Sequence, residues 1–133
     1  MNQNHRSKFP VKTPQEYLLE EEELSSNSEP RVPIIVCVDC SFSMRQQHRL
    51  ERVLEGLEDF CADMAADPIA CQSVELCIVS FGGEQAVVER DFTPPDRIQL
   101  PKLTASGETP LADGVMTALA ALEERKRRYG DNG

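Results

Sequence analysis

The sequence predicts an α/β domain with a central, mostly parallel sheet, on three observations. Short apolar, β-branched runs alternate with longer segments whose apolar residues recur at helical spacing. A helix separates the first two runs, the order that joins parallel neighbours by a right-handed crossover. The first run, Val32 to Val38, is also continuously apolar, as a strand covered on both faces is.

The elements follow in chain order. Val32 to Val38 reads as the first strand. From Met44 to Ala65, the positions Leu50, Val53, Leu54, Leu57, Phe60, Cys61 and Met64 keep helical spacing, and Asp67-Pro68 stops that helix. Val74 to Phe81 is a second buried strand, followed by the turn signal Gly82-Gly83. Ala86 to Phe92 makes a third strand, antiparallel to the second through a short hairpin. After a Pro-rich loop from Thr93 to Ser106, Thr109-Pro110 opens a last helix whose Leu111, Val115, Leu119 and Leu122 share its apolar face. The cluster Arg125 to Arg128 suits the negative pole of that helix and reads as a solvated end rather than a phosphate site.

The composition shifts near residue 30, dividing an acidic, polar segment 1–29 from a domain over 30–133. Thr13-Pro14-Gln15-Glu16 has the form of a capping box with Pro at the first helical position. It predicts a short helix from Pro14 to about Leu24. The low hydrophobicity around it fits a solvated tail, and a docking arm for a partner or for its own domain is the other reading.

The 133 residues amount to one domain. Asp and Glu exceed Lys and Arg by 23 to 14, a formal charge of −9, which argues against nucleic acid because phosphate binding needs clustered cations. No apolar run approaches the roughly 20 residues that span a bilayer, and MNQNHRSKFP holds no apolar export signal. The expectation is a cytoplasmic protein that binds neither membrane nor nucleic acid. Five cysteines, an odd number, suit free thiols in a reducing compartment. Cys37-x-x-Cys40 allows a redox pair or half a zinc site. Its place inside an apolar strand, with no second pair or nearby His, favours ordinary core thiols. The two histidines, His5 and His48, fall in the tail and at a helix start and suit solvent exposure.

Ligands bind such sheets at the carboxyl ends of the strands, where Asp39-Cys40-Ser41-Phe42-Ser43 follows the first strand. One carboxylate and two hydroxyls at alternate positions converge if the loop curls. Oxygen ligands suit a hard cation such as Mg²⁺. So low a ligand charge leaves the ion electrophilic toward a carboxylate from another molecule. The plainer reading is that Asp39 or Ser41 caps the next helix.

Three blocks together resemble the von Willebrand factor A domain. They are Ile34-Ile35-Val36-Cys37-Val38-Asp39-Cys40-Ser41-Phe42-Ser43-Met44, then Glu75 to Gly82, then Leu103-Thr104-Ala105-Ser106-Gly107-Glu108-Thr109-Pro110-Leu111. The last block is most similar to the bacterial tellurite-resistance Y-type (TerY-like) branch. The resemblance implies a Rossmann-like three-layer sandwich and a metal-ion-dependent adhesion site for Mg²⁺ or Mn²⁺. Asp39, Ser41 and Ser43 match its first motif and Thr109 its lone threonine. The implied partner is another protein presenting an Asp or Glu carboxylate. Phe42 stands where the family usually carries glycine.

The family's site also uses an aspartate after a fourth strand, and that role passes to no residue of this sequence. The expectation is therefore the amino-terminal part of the fold, truncated after the third strand and second helix. Its sheet order would be 3-2-1, leaving Val32 to Val38 as an edge open to self-association. A structural or regulatory fragment with an incomplete site is the alternative. An aspartyl phosphotransferase with Asp39 as nucleophile fits poorly, because Ser41 stands where that chemistry needs an acid. No catalytic residues are expected.

Overall fold

The computed structural model describes residues 9, 11–26, 30–82, 85–107 and 111–132, without the side chains of 26 and 132. Its elements are α1 (Pro14–Ser26), β1 (Val32–Asp39), a 3₁₀ segment (Phe42–His48), α2 (Arg49–Ala66), α3 (Pro68–Ser73), β2 (Val74–Gly82), β3 (Gln85–Thr93) and α4 (Leu111–Asn132). The three strands form one mixed sheet in the order β1-β2-β3. β1 runs parallel to β2 in unbroken register from Val32 opposite Val74 to Asp39 opposite Phe81. β2 and β3 pair antiparallel. Among the described residues, no strand covers the other side of β1.

Alternation along the strands sends successive side chains to two cores. Leu76, Ile78 and Val38 pack under Leu50, Leu57 and Cys61 of α2. Cys77, Val79, Phe81, Val88 and Phe92 pack on the opposite face against Ala121 of α4. β2 is central and almost wholly buried, which suits its apolar stretch Leu76 to Val79. Each Leu or Ile fully withdrawn from water contributes about 1.5–3 kcal/mol.

Three helical expectations change in detail. The chain does not enter α2 directly at Met44. Gln47 and His48 adopt positive φ, 54° each, and separate the 3₁₀ segment from a helix that begins at Arg49. Asp67-Pro68 ends α2 and also starts α3, because Asp67 Oδ1 accepts the backbone N–H of Ile69 and Ala70 at 2.9 and 3.2 Å. The apolar face of α4 is not the face laid on the sheet. Leu111, Val115 and Leu119 are exposed, whereas Thr117, Ala121, Arg125 and Arg128 are buried. Small residues on that second face allow a close approach: a Cβ on Gly114 would lie 2.9 Å from the Phe81 ring.

Polar burial sets the rotation of α4. Glu75, a carboxylate set in the mostly apolar β2, needs a partner once withdrawn from water. Arg125 Nε and Nη2 donate to its two oxygens at 3.0 and 2.6 Å, and the Tyr129 hydroxyl donates to Oε1 at 2.5 Å. The Arg125 to Arg128 cluster is therefore not a solvated end. Arg125 and Arg128 are buried, whereas Lys126 and Arg127 are exposed, Arg127 between Glu124 and Asp131. Asp131 lies within α4.

The same arginines hold α1. Thr13 and Glu16 close the expected capping box, Glu16 N–H to Thr13 Oγ1 at 3.2 Å and Thr13 N–H to Glu16 Oε2 at 2.6 Å. Glu20 then accepts from Arg125, from Arg128 at 2.9 Å and from Lys12 at 2.8 Å. With Leu24 buried, Pro14–Ser26 lies as an arm on its own chain rather than as a solvated tail.

Candidate functional site at the carboxyl end of the sheet

β1 delivers Asp39 to the carboxyl edge of the sheet, and Cys40 N–H extends the pairing by donating to Phe81 O at 2.8 Å. The backbone then folds back on itself. Asp39 Oδ1 accepts the Ser41 N–H at 2.8 Å. Ser41 is only 2% exposed. Its Oγ lies 3.2 Å from Ser43 Oγ, and the two hydroxyls share a hydrogen bond. Ser41 occupies the N-cap position of the 3₁₀ segment, yet its side chain makes no capping bond. The plain capping role is thus absent for Ser41, and its hydroxyl is directed to Ser43 instead.

A second loop is latched onto this turn. Ser106 N–H donates to Cys40 O at 2.7 Å and Phe42 N–H donates to Gly107 O at 2.9 Å. Arg45 Nε adds a bond to Ala105 O at 2.9 Å. Gly107 sits at φ 70°, in the left-handed region that favours glycine. These bonds carry the loop toward Thr109, which itself lies outside the described residues, as does His5. Gly82 completes the packing beneath the turn: a Cβ there would stand 2.5 Å from the Cys40 carbonyl oxygen. Phe42 projects outward, 61% exposed, with the Arg45 guanidinium 5.0 Å from its ring centre. It forms an apolar rim rather than obstructing the turn.

The donor set fits a small hard cation. Two ligands at about 2.1 Å in adjacent octahedral positions lie about 3.0 Å apart, close to the 3.2 Å between the serine oxygens. Among the described residues no three His, Cys, Asp or Glu side chains gather to hold a metal. Any ion here would rely on hydroxyls and a single carboxylate, the low-charge set that the motif implies.

The thiols lie outside this chemistry. All five are free. Burial raises the Cys37 thiol. Burial, with the charges of Glu89 and Asp39, pushes Cys40 up to about 11. A redox pair requires the opposite shift. Cys37 is nonetheless exposed on β1 rather than a core residue.

Sequence reasoning also missed Glu89, which is buried, and Asp113, which is half-buried. Glu89 on β3 accepts from Ser80 Oγ at 2.8 Å, and Asp113 of α4 accepts the Ala86 N–H at 2.6 Å, tying the helix to β3. Glu89 stands in the charged run Glu89-Arg90-Asp91, so the sequence carries no signal that it is buried. For Asp113 the sequence carries none, because an acid in a first helical turn is ordinary. A larger cleft of about 560 Å³ opens beneath α1, where Glu23, Arg31, Asp96 and Arg97 line it. The pairing of Val32 with Val74 puts that cleft at the end of the sheet opposite the serine turn.

Residues 34–132 match the von Willebrand factor type A domain family. Among curated proteins, none matches the chain. Two crystal structures are similar in fold. One is of an uncharacterized membrane spanning protein from Vibrio fischeri, with TM-score 0.54 and 22% identity, over 74% of this chain and 52% of that one. The other is of an uncharacterized protein from Alicyclobacillus acidocaldarius subsp. acidocaldarius DSM 446, with TM-score 0.54 and 19% identity, over 85% of this chain and 49% of that one. The chain thus spans about half the length of each. At these identities the likeness concerns fold alone.

Proposed function

This chain belongs to the von Willebrand factor type A domain family, and on that premise we propose that it binds another protein by engaging an Asp or Glu carboxylate through a Mg²⁺-type ion. The observation that carries the reading is the turn in which Ser41 and Ser43 hydroxyls stand 3.2 Å apart beside Asp39. Ser41 and Ser43 would ligate the ion, Asp39 would bind it directly or through water, and Thr109 would join from the latched loop. When bound, the ion supplies an open coordination position to the partner's carboxylate. The role is one of binding, not catalysis, since Ser41 is too weak an acid to protonate a leaving group near neutral pH.

The Ala105 to Leu111 loop supports placement in the TerY-like branch, and five unpaired thiols support a cytoplasmic setting. That no strand among the described residues pairs with the outer side of β1 supports self-association as a second contact, which light scattering reads directly.

Thermal melting in Mg²⁺ or Mn²⁺ tests the metal reading. At a free ion concentration one hundredfold above Kd, the native state gains about 2.7 kcal/mol, on the order of 10 °C for a domain of this size. Asp39→Ala should not respond. A second reading draws on the mutual Ser41–Ser43 hydrogen bond, which lets the turn close without an ion, as a purely structural element. Melting that ignores metal in both proteins favours that reading and sinks the first.

A further inference from the structure

The rim of the serine turn carries an arginine fixed in place by its neighbours. Arg45 follows Ser43 by two residues, so their Cα atoms lie within about 7 Å of each other. Its Nε donates to Ala105 O at 2.9 Å, and its guanidinium stands 5.0 Å from the centre of the Phe42 ring. Both contacts are to residues that frame the turn. Phe42 sits between the two serines, and Ala105 precedes Ser106, whose N–H donates to Cys40 O. The chain then reverses at Gln47 and His48, φ 54° each, a conformation uncommon without glycine. Arg45 is thereby kept at the rim, before α2 begins at Arg49.

The bond to Ala105 uses one of the five N–H donors of a guanidinium. The terminal nitrogens make no hydrogen bond or ion pair among the described residues, and the residue is exposed. A guanidinium pinned through Nε and stacked on a ring presents its outer nitrogens as a fork, which matches the two oxygens of a carboxylate. Because its pose is already held, pairing costs it less side-chain freedom than it would cost a loose surface cation. Local charge agrees. Residues 45–52 hold Arg45, His48, Arg49 and Arg52 against Glu51 alone, all of them exposed, on a chain of formal charge −9. An acidic partner is disfavoured by the chain as a whole and drawn to this end, which fixes where it docks.

Resting on the carboxylate-binding reading above, we infer that Arg45 receives a second carboxylate of the same partner. The recognised element is then a pair of Asp or Glu residues close together in the partner's sequence. One acid completes the shell of the ion at the turn, and the other lies across the outer nitrogens of Arg45. The first supplies metal dependence and the second selects among acidic partners.

Fluorescent peptides with one Asp in a glycine–serine background, carrying Glu or Gln at each position within three residues of it, test the inference in Mg²⁺. One Glu register should bind about fivefold tighter than its Gln counterpart. That lies between the negligible value of a loose surface pair and the tenfold or more of a buried charge-assisted one. Arg45→Gln should erase the preference yet bind the Gln peptides, and melt in Mg²⁺, as wild type does. Equal weakening of Glu and Gln peptides in Arg45→Gln would mean that the arginine only holds the loop, and overturns the inference. A preference spread evenly over all registers, the mark of net charge alone, also overturns it, as does none at all; either leaves the carboxylate reading intact. Should the variant fail to fold, the wild-type Arg45 Nε–H resonance decides, since it should move with the favoured Glu peptide and not with its Gln counterpart. Asp39→Ala should lose metal-dependent binding of both.

If no peptide binds in a metal-dependent way, the underlying reading fails and Arg45 is tested alone. Nα-acetyl-glutamate methylamide is then titrated in EDTA and followed at the Arg45 Nε–H and at the Phe42 and Ala105 amides. Saturable shifts that vanish in Arg45→Gln uphold an acid-binding arginine, and their absence from wild type refutes it.

Discussion

Arg125→Met is the sharpest test of how the helices are held on the sheet. The arginine is 4% exposed and Glu75 6%, so neither charge has water to return to when its partner goes. Truncating one member of such a pair costs about 3–5 kcal/mol, chiefly for the charge left behind. The structure points to the lower end. Glu75 keeps the Tyr129 hydroxyl, and Glu20 keeps Lys12 and Arg128. About 3 kcal/mol is a large share of the 5–15 kcal/mol that holds a domain together, and corresponds to roughly 10 °C in Tm. The measurement is urea unfolding with calorimetry, beside the double variant Arg125→Met/Glu75→Met. Replacing a whole buried pair with apolar groups of similar volume is often neutral or better, so the double variant should recover most of the loss. A single variant within 1 kcal/mol of wild type would show that the pair does not secure α4, as would a double variant no better than the worse single one.

Two further outcomes are expected, one from the same contacts and one from the turn. Burial alone would raise the Glu20 carboxyl, but the hydrogen bond from Lys12 and the charge of Arg125 outweigh it and hold the group below its ordinary value. A depressed carboxyl contributes stability above its unfolded pKa, about 4.3, and loses it as pH falls through the folded value. Protection of the α1 amides in hydrogen exchange should therefore drop below about pH 4, before the β2 amides are affected, and Glu20→Gln should remove that acid step. Simultaneous loss in both elements at every pH would contradict an arm held by charge. Gly82→Ala addresses the turn. The new Cβ would meet the Cys40 carbonyl at 2.5 Å, and backbone yields less readily than a side-chain tip. A cost of about 1–3 kcal/mol is expected, together with a weakened response to Mg²⁺. An unchanged melting curve and metal response would mean that the turn tolerates displacement.

What was legible in advance was what local chemistry decides. β2 reads correctly because a strand covered on both faces is mostly apolar, and Thr13-Pro14-Gln15-Glu16 because a capping box satisfies its own donors within four residues. The serine turn was legible too, since its spacing is itself the geometry: Asp39 reaches the amide two residues on. Phe42 stands clear of the turn for the same reason, as an intervening residue whose side chain points away.

Decisions that need two distant segments were not legible. Periodicity identified α4 as a helix, but its apolar face, Leu111, Val115 and Leu119, is exposed. The rotation is set by Glu75, fifty positions away from Arg125, and by the room that Gly114 leaves for Phe81. Arg125 to Arg128 read as solvated because a run of charges has no local reason to be buried. Burial became favourable only when Glu20, from more than a hundred residues earlier, arrived to accept from both arginines. The latch from Ala105 to Gly107 onto Cys40 and Phe42 is likewise a matter of backbone groups, which every residue carries and no sequence pattern singles out. Sequence alone determined which oxygens the turn presents. Tertiary structure decided which loop and which buried carboxylate stand beside them, because unsatisfied polar groups find their partners only once the chain has closed.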